Sequence, residues 1–183
     1  MLKIGIIGVG NIAQHHLASY KKNPNCEIYA FCDINEQRLR EMGEKYGVTR
    51  LYTSKEEMFA ECPELDAVSV CTWNCAHAEC SIAALNAGNH VICEKPMAMN
   101  AKQAIEMQKA AEKNNKLLMI GFVRRFGKDC TVLKDFVDAG DFGDIYYAKT
   151  NSNKWAVLVH PFMLSGEIYA NAIAQTYLDQ GYN

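Results

Sequence analysis

Short apolar runs alternate with helical patterns from the start of the chain to about residue 121. The runs that fit strands are residues 2–8, 27–32, 51–52, 67–71, 90–93 and 117–121. The segments between them have helical spacing or helix-start residues, such as Ser54 followed by Glu57. The apolar surfaces of these strands and helices are best buried when right-handed crossovers join parallel strands into one sheet with helices on both faces. The sequence therefore predicts an α/β fold with a doubly wound parallel sheet.

The pattern changes after residue 121. Residues 127–140, "GKDCTVLKDFVDAG", fit a helix, and residues 144–151 alternate as a strand does. These elements fit the opening of a second domain. The sequence therefore predicts a doubly wound domain at 1–122 and a partial α+β C-terminal unit at 123–183.

Composition argues against two classes of partner. The 183 residues include 19 Lys and Arg against 21 Asp and Glu, and the basic residues are scattered. Nucleic acid and anionic membranes normally require a basic patch, so neither is expected as a partner. No apolar run approaches the roughly 20 residues of a membrane span, and the first residues lack a signal-peptide pattern. The expected location is the cytoplasm.

The eight cysteines do not predict a metal site. None forms a C-x-x-C pair, and the spacing of Cys71, Cys75 and Cys80 matches no zinc pattern. Cys32 and Cys93 end apolar runs, as Cys71 does, and a thiol packs there as a small hydrophobic group. No metal is expected.

A glycine-rich turn joins the first strand to the first helix. Gly8, Gly10 and Ala13 form the G-x-G-x-x-A pattern, in which glycines permit a tight turn and a close approach of the backbone to a pyrophosphate. Asn11 and Ile12 open the helix, whose N–H groups would face the phosphates. The pattern predicts a Rossmann-type dinucleotide site.

Asp33 follows the second strand, where a carboxylate can accept hydrogen bonds from the adenosine ribose. Its charge would repel a 2'-phosphate, so NAD is expected rather than NADP. The alternative role for Asp33 is to cap the helix that starts near Asn35. Arg38 would weaken the preference for NAD if it turned toward the ribose.

Polar residues also follow the fourth and fifth strands, at 72–74 and 94–96. Ligands of doubly wound sheets lie outside the carboxyl ends of the strands, so these residues are expected beside the cofactor. Lys95 would lie where a nicotinamide meets its hydride partner, with a pKa suited to acid/base catalysis. The alternative is a surface lysine after a strand.

Together these residues resemble the glucose-fructose oxidoreductase, inositol dehydrogenase and MocA-like family (Gfo/Idh/MocA), from residue 1 to about residue 150. The matching residues are Gly8, Gly10, Ala13, Asp33, Thr72, Asn74, His77, Ala87, Gly88, His90, Val91, Glu94, Lys95, Pro96 and "GFVRRF" at 121–126. The resemblance implies an NAD(P)-dependent oxidoreductase that oxidises a hydroxyl group of a sugar, inositol or related polyol.

The resemblance also implies roles for single residues. Lys95 matches the lysine that contacts the reacting hydroxyl, and the peptide bond before Pro96 is often cis in the family. Asn74 and His77 match positions near the cofactor, and Glu94 matches one that contacts the nicotinamide end. For His77 the alternative is a first-turn helix residue.

Three further positions extend this set. Thr72 belongs to the same cofactor-binding group. Arg124 and Arg125 are candidate substrate contacts, and a salt-bridging role is equally consistent with the sequence.

The resemblance weakens toward Asn183. Family members exceed about 300 residues and carry a D-x-G-x-H segment in a second domain. Residues 178–183 echo it only faintly, and His160 is the only histidine after Lys95. A truncated chain is expected, with turnover slow or lost. The exposed strand at Tyr146 would then favour a homo-oligomer.

The alternative function is a non-catalytic dinucleotide-binding or regulatory module. It shares the predicted NAD site and differs only in turnover. A DNA-binding repressor would need a basic helix-turn-helix, and the sequence has none. The substrate itself is not specified by these residues.

Overall fold

The computed structural model describes residues 1–145. Six strands in this part of the chain form one parallel sheet. The strands are β1 (Leu2–Ile7), β2 (Cys26–Cys32), β3 (Arg50–Tyr52), β4 (Ala67–Val70), β5 (His90–Cys93) and β6 (Leu118–Ile120). They lie in the order β3-β2-β1-β4-β5-β6. This is the order of the doubly wound dinucleotide-binding fold, so the predicted fold class is confirmed.

Helices connect the strands on both faces of the sheet. They are α1 (Asn11–Lys22), α2 (Glu36–Tyr46), α3 (Lys55–Glu61), α4 (His77–Asn86) and α5 (Ala101–Lys113). Their starts follow the predicted signals: the side chain of Ser54 accepts a hydrogen bond from the Glu57 N–H at the start of α3. The helices predicted between the strands are confirmed.

Two hydrophobic clusters fill the space between the sheet and the helices. Ile6 and Leu17 belong to the cluster under α1 and α2, while Ile7 and Met107 belong to the cluster on the opposite face. Ile6 and Ile7 are neighbours in β1, and successive side chains of a strand point to opposite faces. Both faces of the sheet are therefore buried, which explains why the strands are continuous apolar runs.

The chain divides into two compact units, Met1–Phe122 and Val123–Asn183. In the described part of the second unit, a 3-10 helix (Val123–Phe126) precedes α6 (Lys128–Ala139). Gly140 ends α6 with a φ of +79°, as the sequence predicts for that helix. The predicted strand at 144–151 lies almost wholly outside the described residues, as do His160 and residues 178–183.

No helix in residues 1–145 combines the length and apolar character that crossing a membrane requires.

Candidate functional site

The sheet order brings the ends of β1, β4 and β5 side by side. β1 pairs with β2 on one side and with β4 on the other, and β4 pairs with β5. All of these pairs are parallel, and the order of the strands reverses between β1 and β4. Ligands of doubly wound sheets lie at the carboxyl edge of this reversal. The residues predicted after β1, β2, β4 and β5 therefore share one edge of the domain.

Gly8 allows the chain to turn tightly after β1. Its φ is +85°, in the region that favours glycine. A Cβ atom at this position would lie 2.8 Å from the carbonyl carbon and oxygen of Cys71 and 2.9 Å from the amide nitrogen of Thr72. Both obstacles are backbone atoms, which cannot move aside as a flexible side chain can. The turn therefore requires glycine, and the end of β4 lies directly against it.

The N-terminus of α1 is open beside Gly10. No side chain caps the helix, and its first turn contains no acidic residue. Apart from its chain neighbours, a Cβ atom on Gly10 would meet one atom within 4 Å in the described residues, Nη1 of Arg38 at 3.8 Å. Asn11 and Ile12 are exposed at the start of the helix. Free backbone N–H groups, the helix dipole and the guanidinium together fit a phosphate group.

Asp33 links the end of β2 to the glycine turn. Its Oδ2 accepts a hydrogen bond from the Val9 N–H at 2.8 Å, and its Oδ1 accepts one from the Asn35 N–H at 2.8 Å. The helix-capping role belongs to Asn35, whose Oδ1 accepts from the Arg38 N–H at 2.9 Å. Asp33 is partly exposed, and each carboxylate oxygen has a second lone pair. It can therefore hold the turn and still accept from ribose hydroxyls.

The loop after β4 contains the predicted residues Thr72 and Asn74. Thr72 is partly exposed, and Asn74 is exposed at the start of a 3-10 turn (Asn74–Ala76). Trp73 lies between them with 81% of its surface exposed. A large aromatic side chain exposed beside the glycine turn offers a flat surface for a ring of a ligand.

His77 joins the loops after β4 and β5. The residue is 1% exposed and is the first residue of α4, as the alternative role expected. Its Nδ1 lies 2.7 Å from the carbonyl oxygen of Pro96, and its Nε2 lies 3.2 Å from that of Thr72. Both ring nitrogens therefore face backbone acceptors. Direct contact of His77 with a cofactor stays a prediction.

His77→Leu is expected to lower the free energy of unfolding by about 2 kcal/mol, because it removes the donor for buried carbonyl groups of two loops. Chemical denaturation of the variant and the wild type measures the difference. His15→Leu is the control, since His15 is exposed on α1. Equal stability of the His77 variant and the wild type would contradict the bridging role.

The loop after β5 contains Glu94, Lys95 and Pro96. Glu94 is 6% exposed, whereas Lys95 and Pro96 are partly exposed. The Lys95 N–H donates to Glu94 Oε2 at 3.2 Å, and the Lys95–Pro96 peptide bond is cis, as the resemblance implied. Burial raises the pKa of the Glu94 carboxyl, but hydrogen bonds from His16 and the Lys95 N–H outweigh burial and leave the pKa below its usual range. Glu94 therefore carries a buried negative charge beside Lys95.

Sequence reasoning missed the partners of Glu94. His16 Nε2 lies 2.9 Å from Glu94 Oε1, and His16 Nδ1 lies 3.3 Å from the Ser69 hydroxyl. The Tyr20 hydroxyl lies 2.6 Å from that of Ser69. Two signals were available: Ser69 is a polar residue inside the apolar run of β4, and His16 follows Ala13 by one helical turn.

Arg124 and Arg125 belong to the second unit. Arg124 Nη2 forms an ion pair with Asp129 Oδ2 at 2.5 Å, which corresponds to the salt-bridging alternative. Substrate contact by either arginine stays a prediction. In residues 1–145, no group of three or more His, Cys, Asp or Glu side chains could hold a metal ion.

The sheet order and the glycine turn at this edge define the class of domain, a Rossmann-type dinucleotide-binding domain. The model of the Gfo/Idh/MocA oxidoreductases, described as an oxidoreductase family with an NAD-binding Rossmann fold, matches residues 2–122. The chain belongs to this family, as the resemblance implied.

Curated relatives and solved structures agree with this assignment. The myo-inositol 2-dehydrogenase of Thermotoga maritima is 37% identical over 151 residues, which cover 82% of this chain and 45% of the relative. The D-glucoside 3-dehydrogenase of Escherichia coli is 39% identical over 146 residues, which cover 79% of this chain and 41% of the relative. The WlbA dehydrogenase of Bordetella pertussis, solved with NADH and UDP-GlcNAcA, matches with a TM-score of 0.76 at 25% identity. The match covers 82% of this chain and 47% of the WlbA chain. The chain spans less than half the length of these proteins.

Proposed function

We propose that this chain binds NAD(H) in preference to NADP(H), and that in the whole protein Lys95 assists the oxidation of a hydroxyl group on a sugar or polyol. The observation that carries the proposal is the uncapped N-terminus of α1 behind a turn that requires Gly8, with Asp33 bonded to the same turn. The NAD-binding family supports the nicotinamide cofactor. The names of the relatives, inositol and glucoside dehydrogenases, support the substrate class.

The cofactor would extend across both halves of the sheet. Gly10, Asn11 and Ile12 would hold the pyrophosphate through backbone N–H groups. Asp33 would accept hydrogen bonds from the adenosine ribose, and its charge would repel the 2'-phosphate of NADP. The nicotinamide end would then reach β4 and β5, the edge at which Thr72, Asn74, Glu94, Lys95 and Pro96 lie.

Lys95 would act on the proton of the substrate. The nicotinamide ring, when bound, supplies the acceptor for hydride. The amine of Lys95 is partly exposed beside this position and would take the proton of the reacting hydroxyl group.

Titration of the chain with NADH, followed by cofactor fluorescence, tests binding. Lys95→Gln is expected to leave the NADH Kd within about threefold and to lower any turnover of inositols or aldoses with NAD by about 100-fold or more, since a general acid/base is lost. Lys102→Gln, an exposed lysine of α5, is the control. Full turnover by the Lys95 variant would reject its role.

A second function is a non-catalytic dinucleotide-binding or regulatory module. It depends on the same observations at Gly8, the N-terminus of α1 and Asp33, and it requires no proton transfer by Lys95. NADH binding without turnover of any inositol or aldose would support it. A homo-oligomer, a cytoplasmic location and the roles of Arg124 and Arg125 stay predictions.

A further inference from the structure

A buried row of polar side chains runs from α1 to the loop after β5. Tyr20, Ser69, His16 and Glu94 follow one another at hydrogen-bonding distance. The side chains of His16 and Glu94 are 11% and 7% exposed. The helix that presents its N-terminus to the phosphates therefore also holds the carboxylate beside Lys95.

The row accommodates both protonation states of His16. In the neutral state, Nε2–H donates to Glu94 Oε1, and Nδ1 accepts from the Ser69 hydroxyl, which accepts from the Tyr20 hydroxyl. In the protonated state, Nδ1–H donates to Ser69, whose hydroxyl then donates to Tyr20. Only hydroxyl hydrogens rotate between the two states. His16 can therefore gain or lose a proton while it keeps Glu94 in place.

Within residues 1–145, the titratable groups that interact with the His16–Glu94 pair are Tyr20, Lys95, Cys71 and Cys93. Burial raises the pKa of the Cys93 thiol to about 11 and raises that of the Cys71 thiol further, and burial also raises the pKa of the Tyr20 hydroxyl. These three groups are uncharged near neutral pH. The local charge is therefore set by His16, Glu94 and Lys95.

Glu94 belongs to the half of the sheet that takes the nicotinamide. A doubly wound sheet binds one mononucleotide on each half, and Asp33 assigns the adenosine to the half that contains β2. β5, which ends at Glu94, is in the other half. This step depends on the proposed function. It places the charge of the His16–Glu94 pair on the side of the cofactor that changes charge with its redox state.

We propose that protonation of His16 sets the preference of this site for oxidised over reduced nicotinamide dinucleotide. The nicotinamide ring is positively charged in NAD⁺ and neutral in NADH, while the rest of the molecule is unchanged. With neutral His16, the pair has a net negative charge that favours the cationic ring. With protonated His16, the charge of Glu94 is cancelled, and the preference for NAD⁺ falls.

Calorimetry tests this proposal by measuring the ratio of the Kd of NADH to the Kd of NAD⁺. The measurement runs from about pH 5 to pH 8, the range in which histidine titrates. For the wild type, we expect the ratio to rise about fivefold with pH. His16→Gln retains an N–H donor for Glu94 and cannot titrate. Its ratio is expected to stay at the high-pH value of the wild type throughout.

His15→Gln is the matched control, because it makes the same change at an exposed position of the same helix. It should follow the wild type. Glu94→Gln is a second variant, whose ratio at about pH 8 should be lower than that of the wild type, because the negative charge that favours the cationic ring is removed. A constant ratio in the wild type, or a His16 variant that titrates as the wild type does, would overturn the proposal.

ADP-ribose, which lacks the nicotinamide, distinguishes this proposal from the proposed function. If ADP-ribose binds with no pH-dependent ratio for the two full cofactors, only the role of His16 is rejected. If ADP-ribose itself does not bind, the dinucleotide site is rejected, and the role of His16 with it.

Discussion

Gly8→Ala is expected to lower the free energy of unfolding by about 2–4 kcal/mol, the sum of a strained positive φ and an overlap with backbone. The new Cβ would lie 2.8 Å from the carbonyl group of Cys71. Relief of this contact would push the end of β1 away from β4, the pair at the centre of the sheet. Urea denaturation of the variant measures the loss.

Two glycine variants separate the causes of this loss. Gly47→Ala has a similar φ of +72°, and apart from the chain neighbours no atom of residues 1–145 lies within 4 Å of the new Cβ, so it should cost about 1 kcal/mol, for strain alone. Gly10→Ala should leave stability nearly unchanged but weaken NADH binding, because its Cβ enters the space assigned to the pyrophosphate. If Gly8→Ala costs no more than Gly47→Ala, the close approach of β4 is not what requires glycine.

Asp33→Asn is expected to lower the Kd of NADPH relative to that of NADH by about tenfold or more, because a full negative charge beside the 2'-phosphate is removed. NADH itself should bind more weakly. The amide can accept from only one of the two N–H groups, Val9 or Asn35, that the carboxylate now holds. Fluorescence titration with both reduced cofactors measures the ratio.

Glu36→Gln is the matched control for Asp33→Asn. Glu36 is an exposed acid in the first turn of α2, where it pairs with Arg40. Its neutralisation changes the net charge of the protein equally but should leave the cofactor ratio unchanged. An equal shift in both variants would attribute the effect to overall charge and reject a contact between Asp33 and the ribose.

The local sequence predicts those parts of the candidate site that a short segment defines. Gly8 and Gly10 were recognised because a tight turn and a close approach require them within one strand-to-helix junction. Asp33 directly follows one predicted strand, and Lys95 is the second residue after another. Parallel strands place such positions at one edge, so no tertiary information was needed to expect them together.

The sequence did not decide between a ligand contact and a structural role for Asp33 and His77. Whether Asp33 or Asn35 caps α2 depends on a difference of two residues, and both types are good caps. The structure gives the cap to Asn35 and connects Asp33 to Val9. Likewise His77 opens α4 by its position, and only the packed loops bring its ring to Pro96.

The sequence alone determined the alternation of strands and helices, and with it the sheet, its buried faces and the edge that carries the glycine turn. These properties follow from periodicity and short-range sterics, which act within one element or between neighbours. Only the tertiary structure decided that His16 meets Glu94 and Ser69, because these partners lie 78 and 53 positions away from it along the chain. Contacts of that kind depend on how a helix packs on the sheet, which no local pattern specifies.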